Sequence, residues 1–255
     1  MTRSGPRGKP VLLLHGIGGG RAIWATSVDR LAQQGFDSIA VDLPGYGDSQ
    51  SVPPGGIAHM AANLVGLLDD LGLERAALVG HSMGGMVAQE VCASAPQRVA
   101  ALVLACTSPA FGKPGGDWQA GFIAERLAPL DNGLGMPGVA ARLVPAMVGP
   151  GADPAGLALA QAVMGAVPEA TYRRVLAAIV AFDRRAALGA VAVPTLCLAG
   201  SLDHTAPPEV LRHMAQHIRG AEFKQIEGAG HIANVEQPLA FDAAVADFLR
   251  RVLRG

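Results

Sequence analysis

Short apolar runs alternate with stretches of helical periodicity along most of this 255-residue chain. The first run, Val11 to Leu14, is continuous, as expected of a strand that is buried on both faces. Because strands separated by helices pair in parallel, the alternation predicts an α/β fold with a mostly parallel sheet flanked by helices. The strands are predicted at residues 11–14, 38–41, 76–79, 99–105, 195–198 and 222–226, and the helices at 23–34, 57–71, 83–95, 209–218 and 239–253.

The alternation stops between residues 111 and 188, where the sequence predicts no strand. The sequence instead predicts helices, separated by Gly and Pro, at residues 118–127, 139–148, 157–167 and 172–187. Connections of this length are uncommon unless they serve as lids or binding elements. We therefore divide the chain into an α/β core, residues 1–110 and 189–255, and a helical cap, or lid, at 111–188.

The charge balance and the cysteines limit the partners and the compartment. A net charge of -1 gives no long-range attraction to nucleic acid or an anionic membrane. The first apolar run is too short for a signal peptide or for a bilayer-spanning helix. Cys92, Cys106 and Cys197 lie in apolar surroundings without CxxC spacing, which favours buried free thiols in a reducing compartment. We expect a cytoplasmic protein that acts on a small molecule and binds neither nucleic acid nor a membrane. The oligomeric state stays open, a homodimer included.

The segment Gly80-His81-Ser82-Met83-Gly84 fits the pattern G-x-S-x-G. A strand is predicted directly before it and a helix directly after it, which is the context of a nucleophile elbow. A serine at such a turn has a strained backbone, and small neighbours prevent collisions with the adjacent helix and strand. The N–H of Met83, at the helix N-terminus, then favours negative charge on a reacting oxygen. The alternative interpretation is a serine that only caps the helix.

A serine hydroxyl is a weak nucleophile without a base, and His231 is the favoured base. It follows the last predicted strand, so its loop opens at the same edge of the sheet as Ser82. Asp203 follows the strand at 195–198 at that edge and is predicted to orient the imidazole. The alternatives are a loop histidine that bonds only to the backbone and, for Asp203, an Asx turn or a cap for the helix at Glu209. These structural roles can coexist with catalysis.

Two cofactor hypotheses are weaker. Gly16 and Gly18 follow a strand, but Arg21 stands where a dinucleotide-binding fingerprint needs its third glycine. His213 and His217 lie four residues apart on one predicted helix, with no third metal ligand near them. We therefore expect neither a metal nor an organic cofactor.

Five segments together resemble the α/β-hydrolase fold superfamily: "LLLHGIGGG", "DLPGYGDS", "VGHSMGG", "AGSLDHTAPPE" and "GAGHIANVEQP". They occur in family order over nearly the whole chain, and the helical insertion falls where the family carries its cap. The resemblance implies that the N–H of Ile17 is a second oxyanion donor beside that of Met83. Family members usually begin with an antiparallel hairpin. Only ten residues precede Val11, so we expect that edge to be missing or shortened.

Within the superfamily, "GSLDHTAPPE" is similar to 3-oxoadipate enol-lactonases, and "HSMGG" resembles hydrolases of aromatic ring-cleavage products. Serine at position 82 argues against haloalkane dehalogenases and epoxide hydrolases, which use an aspartate there. The resemblance implies a serine hydrolase of a small carboxylic ester or (enol-)lactone, with Ser82 as nucleophile, His231 as base and Asp203 as orienting acid. The alternatives are hydrolysis of a carbon–carbon bond in a ring-cleavage diketone, and a ligand-binding protein on a hydrolase scaffold.

Side chains of the first helix and of the insertion are expected to form the pocket. We expect the substrate to contact Trp24, Trp118, Phe122, Met147 and Phe182. For each of them the alternative is packing between the insertion and the core. Three arginines are candidates to bind a substrate carboxylate, against the alternative of solvated surface charges: Arg21, Arg126 and Arg142.

Overall fold

A single sheet organises the computed structural model, which describes residues 1–49, 56–112 and 117–253. Within those residues its seven strands are β1 (Thr2–Ser4), β2 (Pro10–Leu14), β3 (Asp37–Val41), β4 (Ala76–His81), β5 (Val99–Ala105), β6 (Thr195–Gly200) and β7 (Glu222–Ile226). Their order in the sheet is β1-β3-β2-β4-β5-β6-β7. Every neighbouring pair is parallel except β1 and β3, which confirms the predicted mostly parallel sheet.

Helices flank the sheet, as the alternating pattern predicted. No helix of the described ranges combines the length and the apolar character needed to cross a bilayer. The helices are α1 (Ala25–Gln33), α2 (Gly56–Asp70), α3 (Met83–Ser94), α4 (Asp117–Asp131), α5 (Gly135–Met147), α6 (Pro154–Gly165), α7 (Glu169–Val180), α8 (Pro208–His217), α9 (Ala233–Glu236) and α10 (Pro238–Val252), with 3₁₀ turns at Arg21–Trp24, Pro96–Arg98 and Arg185–Ala190.

The edge of the sheet before β2 is shortened rather than missing. β1 has three residues and pairs antiparallel with β3. Arg3 of β1 donates from Nε to Oδ1 of Asp37 at 2.7 Å, and Asp37 is buried at the start of β3. A buried carboxylate needs a charged partner, so this pair anchors a strand too short to be held by apolar burial.

The central strands explain the continuous apolar runs of the sequence. Val11 to Leu14 of β2 are fully buried, as are Ala76 to Val79 of β4. Both strands have parallel neighbours on each side and lie under the flanking helices. Neither face meets water, so the polar alternation of a half-exposed strand is absent.

The insertion, α4 to α7, leaves the core after β5 and returns to it before β6. Its first and last segments are joined by the backbone. The N–H of Phe111 donates to the carbonyl of Phe182 at 3.2 Å, and the N–H of Arg184 donates to the carbonyl of Pro109 at 2.6 Å. This pairing explains why α7 ends at Val180, whereas the periodicity predicted a helix to residue 187.

Candidate active site

Ser82 occupies a strained turn between β4 and α3. Its φ of 53° and ψ of -118° lie in a region that residues with a Cβ rarely adopt. Two hydrogen bonds to the neighbouring strand region hold it there. The N–H of Ser82 donates to the carbonyl of Ala105 at 2.9 Å, and the hydroxyl of Thr107 donates to the carbonyl of Ser82 at 2.7 Å. The strain exposes the hydroxyl at the carboxyl end of β4.

Glycines on both sides of Ser82 permit this turn by close packing of backbone. A Cβ on Gly80 would lie 2.4 Å from the carbonyl oxygen of Gly84, and a Cβ on Gly84 would lie 2.2 Å from that of Leu14. Real Cβ atoms do not approach backbone so closely, so no larger residue fits without displacing α3 from the sheet. The spacing of the G-x-S-x-G segment therefore reflects contact between a helix and two strands.

The structure brings together the side chains of Ser82, Asp203 and His231, the three residues that the sequence predicted to act together. Nε2 of His231 lies 3.0 Å from Oγ of Ser82, and Nδ1 of His231 lies 2.9 Å from Oδ2 of Asp203. A carboxylate only accepts hydrogen bonds, so Nδ1 carries the proton and Nε2 presents its lone pair to the serine hydroxyl. This tautomer is the one that can remove a proton from Ser82.

The two carboxylate oxygens of Asp203 have different hydrogen-bond partners. Oδ1 accepts from the N–H groups of Thr205 at 2.7 Å and Ala206 at 2.9 Å, while Oδ2 faces His231. Burial raises the pKa of Asp203, but the charge and hydrogen bond of His231 and the two backbone donors outweigh it and leave the pKa below its usual value. The sequence allowed an Asx turn at Asp203 to coexist with a contact to His231, and both are present.

The loop of His231 is fixed by a buried carboxylate that sequence reasoning did not identify. Oε2 of Glu236 accepts from the N–H groups of Gly149 and Gly230, both at 2.7 Å, and Oε1 accepts from that of Ile232 at 2.8 Å. Glu236 belongs to the short α9, which the sequence did not predict, and its side chain is buried. An acidic residue in the short, mostly apolar stretch after His231 was the available signal.

Two further histidines near the site are buried and neutral. Nδ1 of His15 donates to the carbonyl of Gly16 at 2.8 Å, and Nε2 accepts from the N–H of Leu43 at 3.0 Å. Burial lowers the pKa of His15 to about 4 and that of His81 to about 3. His81 donates from Nε2 to the carbonyl of His231 at 2.7 Å. Both residues thus support the loops around Ser82.

The two expected oxyanion donors, Ile17 and Met83, both line the cavity above Ser82. A Cβ on Gly16 would lie 3.2 Å from Cβ of Ser82, so the loop before Ile17 runs directly beside the serine. The hydroxyl of Tyr46 donates to the carbonyl of Ile17 at 2.9 Å and helps to fix that peptide. Neither backbone N–H has a hydrogen-bond partner within the described ranges.

Two of the five predicted pocket residues line this cavity, and three do not. Phe122 of α4 and Met147 of α5 line it. Trp24 is fully buried beneath the site, with its ring centroid 6.5 Å from His81 and 5.8 Å from Phe241. Trp118 is 59% exposed and stacks on the outer side of Phe122, and Phe182 is buried where the insertion returns to the core. The structure places Trp24, Trp118 and Phe182 outside the lining of this cavity. Helical periodicity alone does not fix which apolar side chain faces a cavity.

The three candidate arginines have different surroundings. Arg21 is paired with Asp42 at 2.5 Å and Asp48 at 3.0 Å. Arg142 is exposed on α5. Only Arg126 of these three lines the cavity. Asp42 also accepts from the backbone N–H of Arg21, so it is engaged within the protein rather than open to a ribose.

Metal ligands do not cluster in the part of the chain that the structure describes. Within it, no group of three or more His, Cys, Asp or Glu side chains has an arrangement that could hold an ion. His213 and His217 are adjacent on α8, and Nδ1 of His217 bonds to the carbonyl of His213 at 2.8 Å.

Known proteins match almost the whole chain. Residues 11–244 match the family model of the alpha/beta hydrolase family. RutD of Variovorax paradoxus (strain S110), named as a candidate carbamate hydrolase, is 34% identical over 96% of this chain and 93% of RutD. The pimeloyl-acyl-carrier-protein methyl ester esterase of Vibrio parahaemolyticus is 30% identical over 95% of this chain and 94% of the esterase.

A solved structure matches with similar completeness. The enol-lactonase from Burkholderia xenovorans LB400 superposes with a TM-score of 0.86 at 28% identity, covering 98% of this chain and 95% of that one. These proteins share a fold and are named for hydrolysis of different bonds. Their names therefore do not fix one substrate for this chain.

Proposed function

Since the chain belongs to the alpha/beta hydrolase family, we propose that it hydrolyses a small carboxylic ester or lactone through an acyl-enzyme on Ser82. The observation that carries this proposal is the continuous hydrogen-bonded series from Asp203 through His231 to Ser82, with separations of 2.9 and 3.0 Å. A hydroxyl within reach of an imidazole that a carboxylate orients is the arrangement that nucleophilic acyl transfer requires.

In the first half-reaction, Oγ of Ser82 attacks the carbonyl carbon while Nε2 of His231 takes the hydroxyl proton. Asp203 keeps the proton on Nδ1 and stabilises the imidazolium that forms. The N–H groups of Ile17 and Met83 bind the oxyanion of the tetrahedral intermediate. Each such donor contributes roughly 10²–10³ to the rate. The intermediate then collapses, and His231 gives its proton to the departing alkoxide or enolate.

In the second half-reaction, water takes the place of the leaving group. His231 removes a proton from the water, which attacks the acyl carbon, and a second tetrahedral intermediate forms on the same oxyanion donors. Its collapse returns the proton to Oγ of Ser82 and releases the carboxylic acid. These two half-reactions need no cofactor.

The walls of the cavity support a compact substrate. The insertion contributes Phe122, Leu143, Met164 and Tyr172, and the core contributes Met86. Because α4 to α7 supply side chains over Ser82, we propose that residues 111–188 act as a cap on the core. Of these side chains, Phe122 is one of the five that the sequence predicted to contact the substrate. The relatives named for a methyl ester and an enol-lactone favour an oxygen ester, and RutD makes a carbamate ester the second candidate.

A substrate panel tests the reaction class. We expect turnover of 4-nitrophenyl acetate and of an enol-lactone, and we expect Ser82→Ala to lower kcat by roughly 10⁶, about as much as loss of the whole triad. Asp203→Asn should cost on the order of 10⁴, because it disturbs the tautomer of the base. Ser94→Ala, an exposed serine at the end of α3, is the matched control and should leave turnover unchanged.

The other outcomes are distinct. Preference for a ring-cleavage diketone would favour carbon–carbon bond hydrolysis, and preference for a carbamate would favour the second candidate. Failure of a fluorophosphonate to label Ser82 would support a ligand-binding protein instead. Retention of ester turnover by Ser82→Ala would contradict the assignment of the nucleophile.

A cytoplasmic location is part of the proposal. Cys92, Cys106 and Cys197 are buried and free. Buried free thiols persist where glutathione and thioredoxin keep cysteines reduced. Cell fractionation should recover the protein with the cytoplasm, and recovery with another compartment would contradict this part of the proposal.

A further inference from the structure

Arg126 brings a positive charge into a mostly apolar cavity. It lies on α4 and lines the same cavity as Ser82 and His231. Its Cζ atom is 3.3 Å from the centroid of the Phe122 ring, so the guanidinium lies on the face of that ring. Stacking on an aromatic ring holds the guanidinium in place while leaving its N–H groups free to donate.

No carboxylate balances this charge within the described ranges. The residues that line the cavity include no Asp or Glu, and Arg126 forms no ion pair with a described residue. Three other arginines of the insertion region do form ion pairs: Arg173 with Asp131 and Glu169, Arg184 with Glu90, and Arg185 with Asp183. Arg126 is partly buried. Taking a cation partly out of water without a charged partner costs free energy, and a bound anion would offset that cost.

The charge persists at neutral pH despite its surroundings. Burial lowers the pKa of Arg126, with the nearby Tyr172 and Glu125 opposing the shift. An arginine starts from so high a value that it stays protonated throughout the physiological range. Glu125 is exposed on the outer side of α4, so it does not occupy the cavity as a counterion.

Tyr172 supplies a second donor close to Arg126. It lies on α7, lines the cavity and is almost fully buried. Burial raises the pKa of Tyr172 to about 12, so its hydroxyl keeps its proton and can donate. That hydroxyl has no hydrogen-bond partner among the residues the structure describes.

We propose that Arg126 and Tyr172 form an anion subsite that binds an ionised carboxyl group of the substrate. The substrate is then an ester or lactone that carries a second, free carboxylate remote from the bond that is cleaved. The guanidinium offers a planar fork that matches the two carboxylate oxygens, and the phenol adds a further hydrogen bond. This inference rests on the proposed function, because it names the substrate class of the same cavity.

Two matched esters test the subsite in the wild-type enzyme. Mono-4-nitrophenyl glutarate carries a carboxylate at the end of its acyl chain, and 4-nitrophenyl pentanoate has a similar length without it. We expect kcat/KM to favour the anionic ester by about 10- to 100-fold, because a hydrogen-bonded charge pair in an apolar site is worth that much.

Substitutions assign the preference to residues. Arg126→Gln should bring the ratio of the two kcat/KM values close to one, and Arg126→Lys should give an intermediate ratio because it keeps the charge but loses the fork. Tyr172→Phe should lower the ratio by roughly 2- to 10-fold, as expected for one hydrogen bond. Arg142→Gln removes an exposed arginine from the neighbouring α5 and should leave the ratio unchanged.

A binding measurement separates this inference from the proposed function. Ser82→Ala cannot form an acyl-enzyme, yet it keeps the subsite, so calorimetry with glutarate should detect binding that the double variant Ser82→Ala/Arg126→Gln weakens by about 10- to 100-fold. If Arg126→Gln and Arg126→Lys both keep the wild-type ratio and glutarate binding, Arg126 serves only to pack on Phe122 and the subsite is refuted. Loss of pentanoate turnover in Ser82→Ala would uphold the hydrolase in that case.

Discussion

The backbone N–H of His231 donates to the carbonyl oxygen of Met147 at 2.7 Å, so the loop that carries His231 is tied to the end of α5. Glu236 strengthens this link, since its carboxylate accepts from Gly149 of the insertion and from Gly230 and Ile232 on either side of His231. The position of the imidazole therefore depends on the insertion as well as on the sheet.

Replacement of Glu236 should disturb both stability and catalysis. Glu236→Gln puts an amide NH₂ where a carboxylate oxygen accepts, so at least one buried N–H loses its acceptor, at a cost of about 1–3 kcal/mol in the free energy of unfolding. We also expect a larger change in kcat than in KM, with kcat lowered, because the imidazole of His231 would shift relative to Ser82. Urea denaturation and ester kinetics measure the two effects. Glu222→Gln, at an exposed pair with Arg251, is the control. A variant as stable and active as the wild type would show that Glu236 does not position the loop.

The buried histidines should make the protein sensitive to mild acid. The pKa of His15 is about 4 and that of His81 about 3, both lowered chiefly by burial, whereas the unfolded chain has values near 6.5. As the pH falls below 6.5, His15 and His81 bind protons in the unfolded chain but stay unprotonated in the folded one. The free energy of unfolding should therefore fall by about 1.4 kcal/mol per pH unit for each histidine down to pH 4.

Urea titrations between pH 7 and 4 measure that slope. In His15→Gln the slope should be smaller by about 1.4 kcal/mol per pH unit, since one of the two groups is gone. Glutamine also carries a donor and an acceptor, so it can replace part of the contact with Gly16 and Leu43. An identical slope in the variant would mean that His15 is protonated in the folded protein.

The strain at Ser82 predicts that glycine is better tolerated there than alanine. Ser82→Gly and Ser82→Ala both lose the hydroxyl, but only glycine adopts a φ of 53° with a ψ of -118° without cost. We expect Ser82→Gly to be about 1 kcal/mol more stable than Ser82→Ala, which is the strain less the extra entropy of glycine in the unfolded chain. Thermal and urea denaturation of the pair give the difference. Equal stability would show that the turn is relaxed.

Two glycine substitutions should act in opposite directions. A Cβ on Gly84 would lie 2.2 Å from the carbonyl of Leu14, so Gly84→Ala should destabilise the fold by about 3 kcal/mol or more and lower kcat. Gly66 lies inside α2, and a Cβ added there would meet no atom of another element within 4 Å, so Gly66→Ala should stabilise by about 0.5–1 kcal/mol. Melting temperatures of the two variants measure the contrast. A stable Gly84→Ala would mean that α3 can move away from β2.

The sequence was sufficient for the scaffold and for the position of the reactive groups. Buried parallel strands read as apolar runs because helices cover both faces, and the chain order of such strands fixes which loops share an edge. Ser82, Asp203 and His231 all follow strands at that edge, so their meeting could be predicted. The three-residue β1 and the four-residue α9 are too short to show a periodicity, and neither was predicted as an element.

The pocket was decided only by tertiary structure. The sequence identifies Trp24, Trp118, Phe122 and Phe182 as apolar, but apolar side chains fill cores, cavities and surface stacks alike. Which of these a side chain joins depends on how α4 to α7 rotate and pack over the core, and that packing results from many contacts between residues distant in sequence. The same holds for Arg126 and Glu236. Their surroundings consist of residues that are distant in sequence and become neighbours only in the folded protein. The alternation of apolar runs and helical stretches in the sequence thus determined the sheet and the order of the loops that carry Ser82, Asp203 and His231. The burial and the partners of the other side chains were decided by the tertiary structure, because they depend on contacts between distant residues.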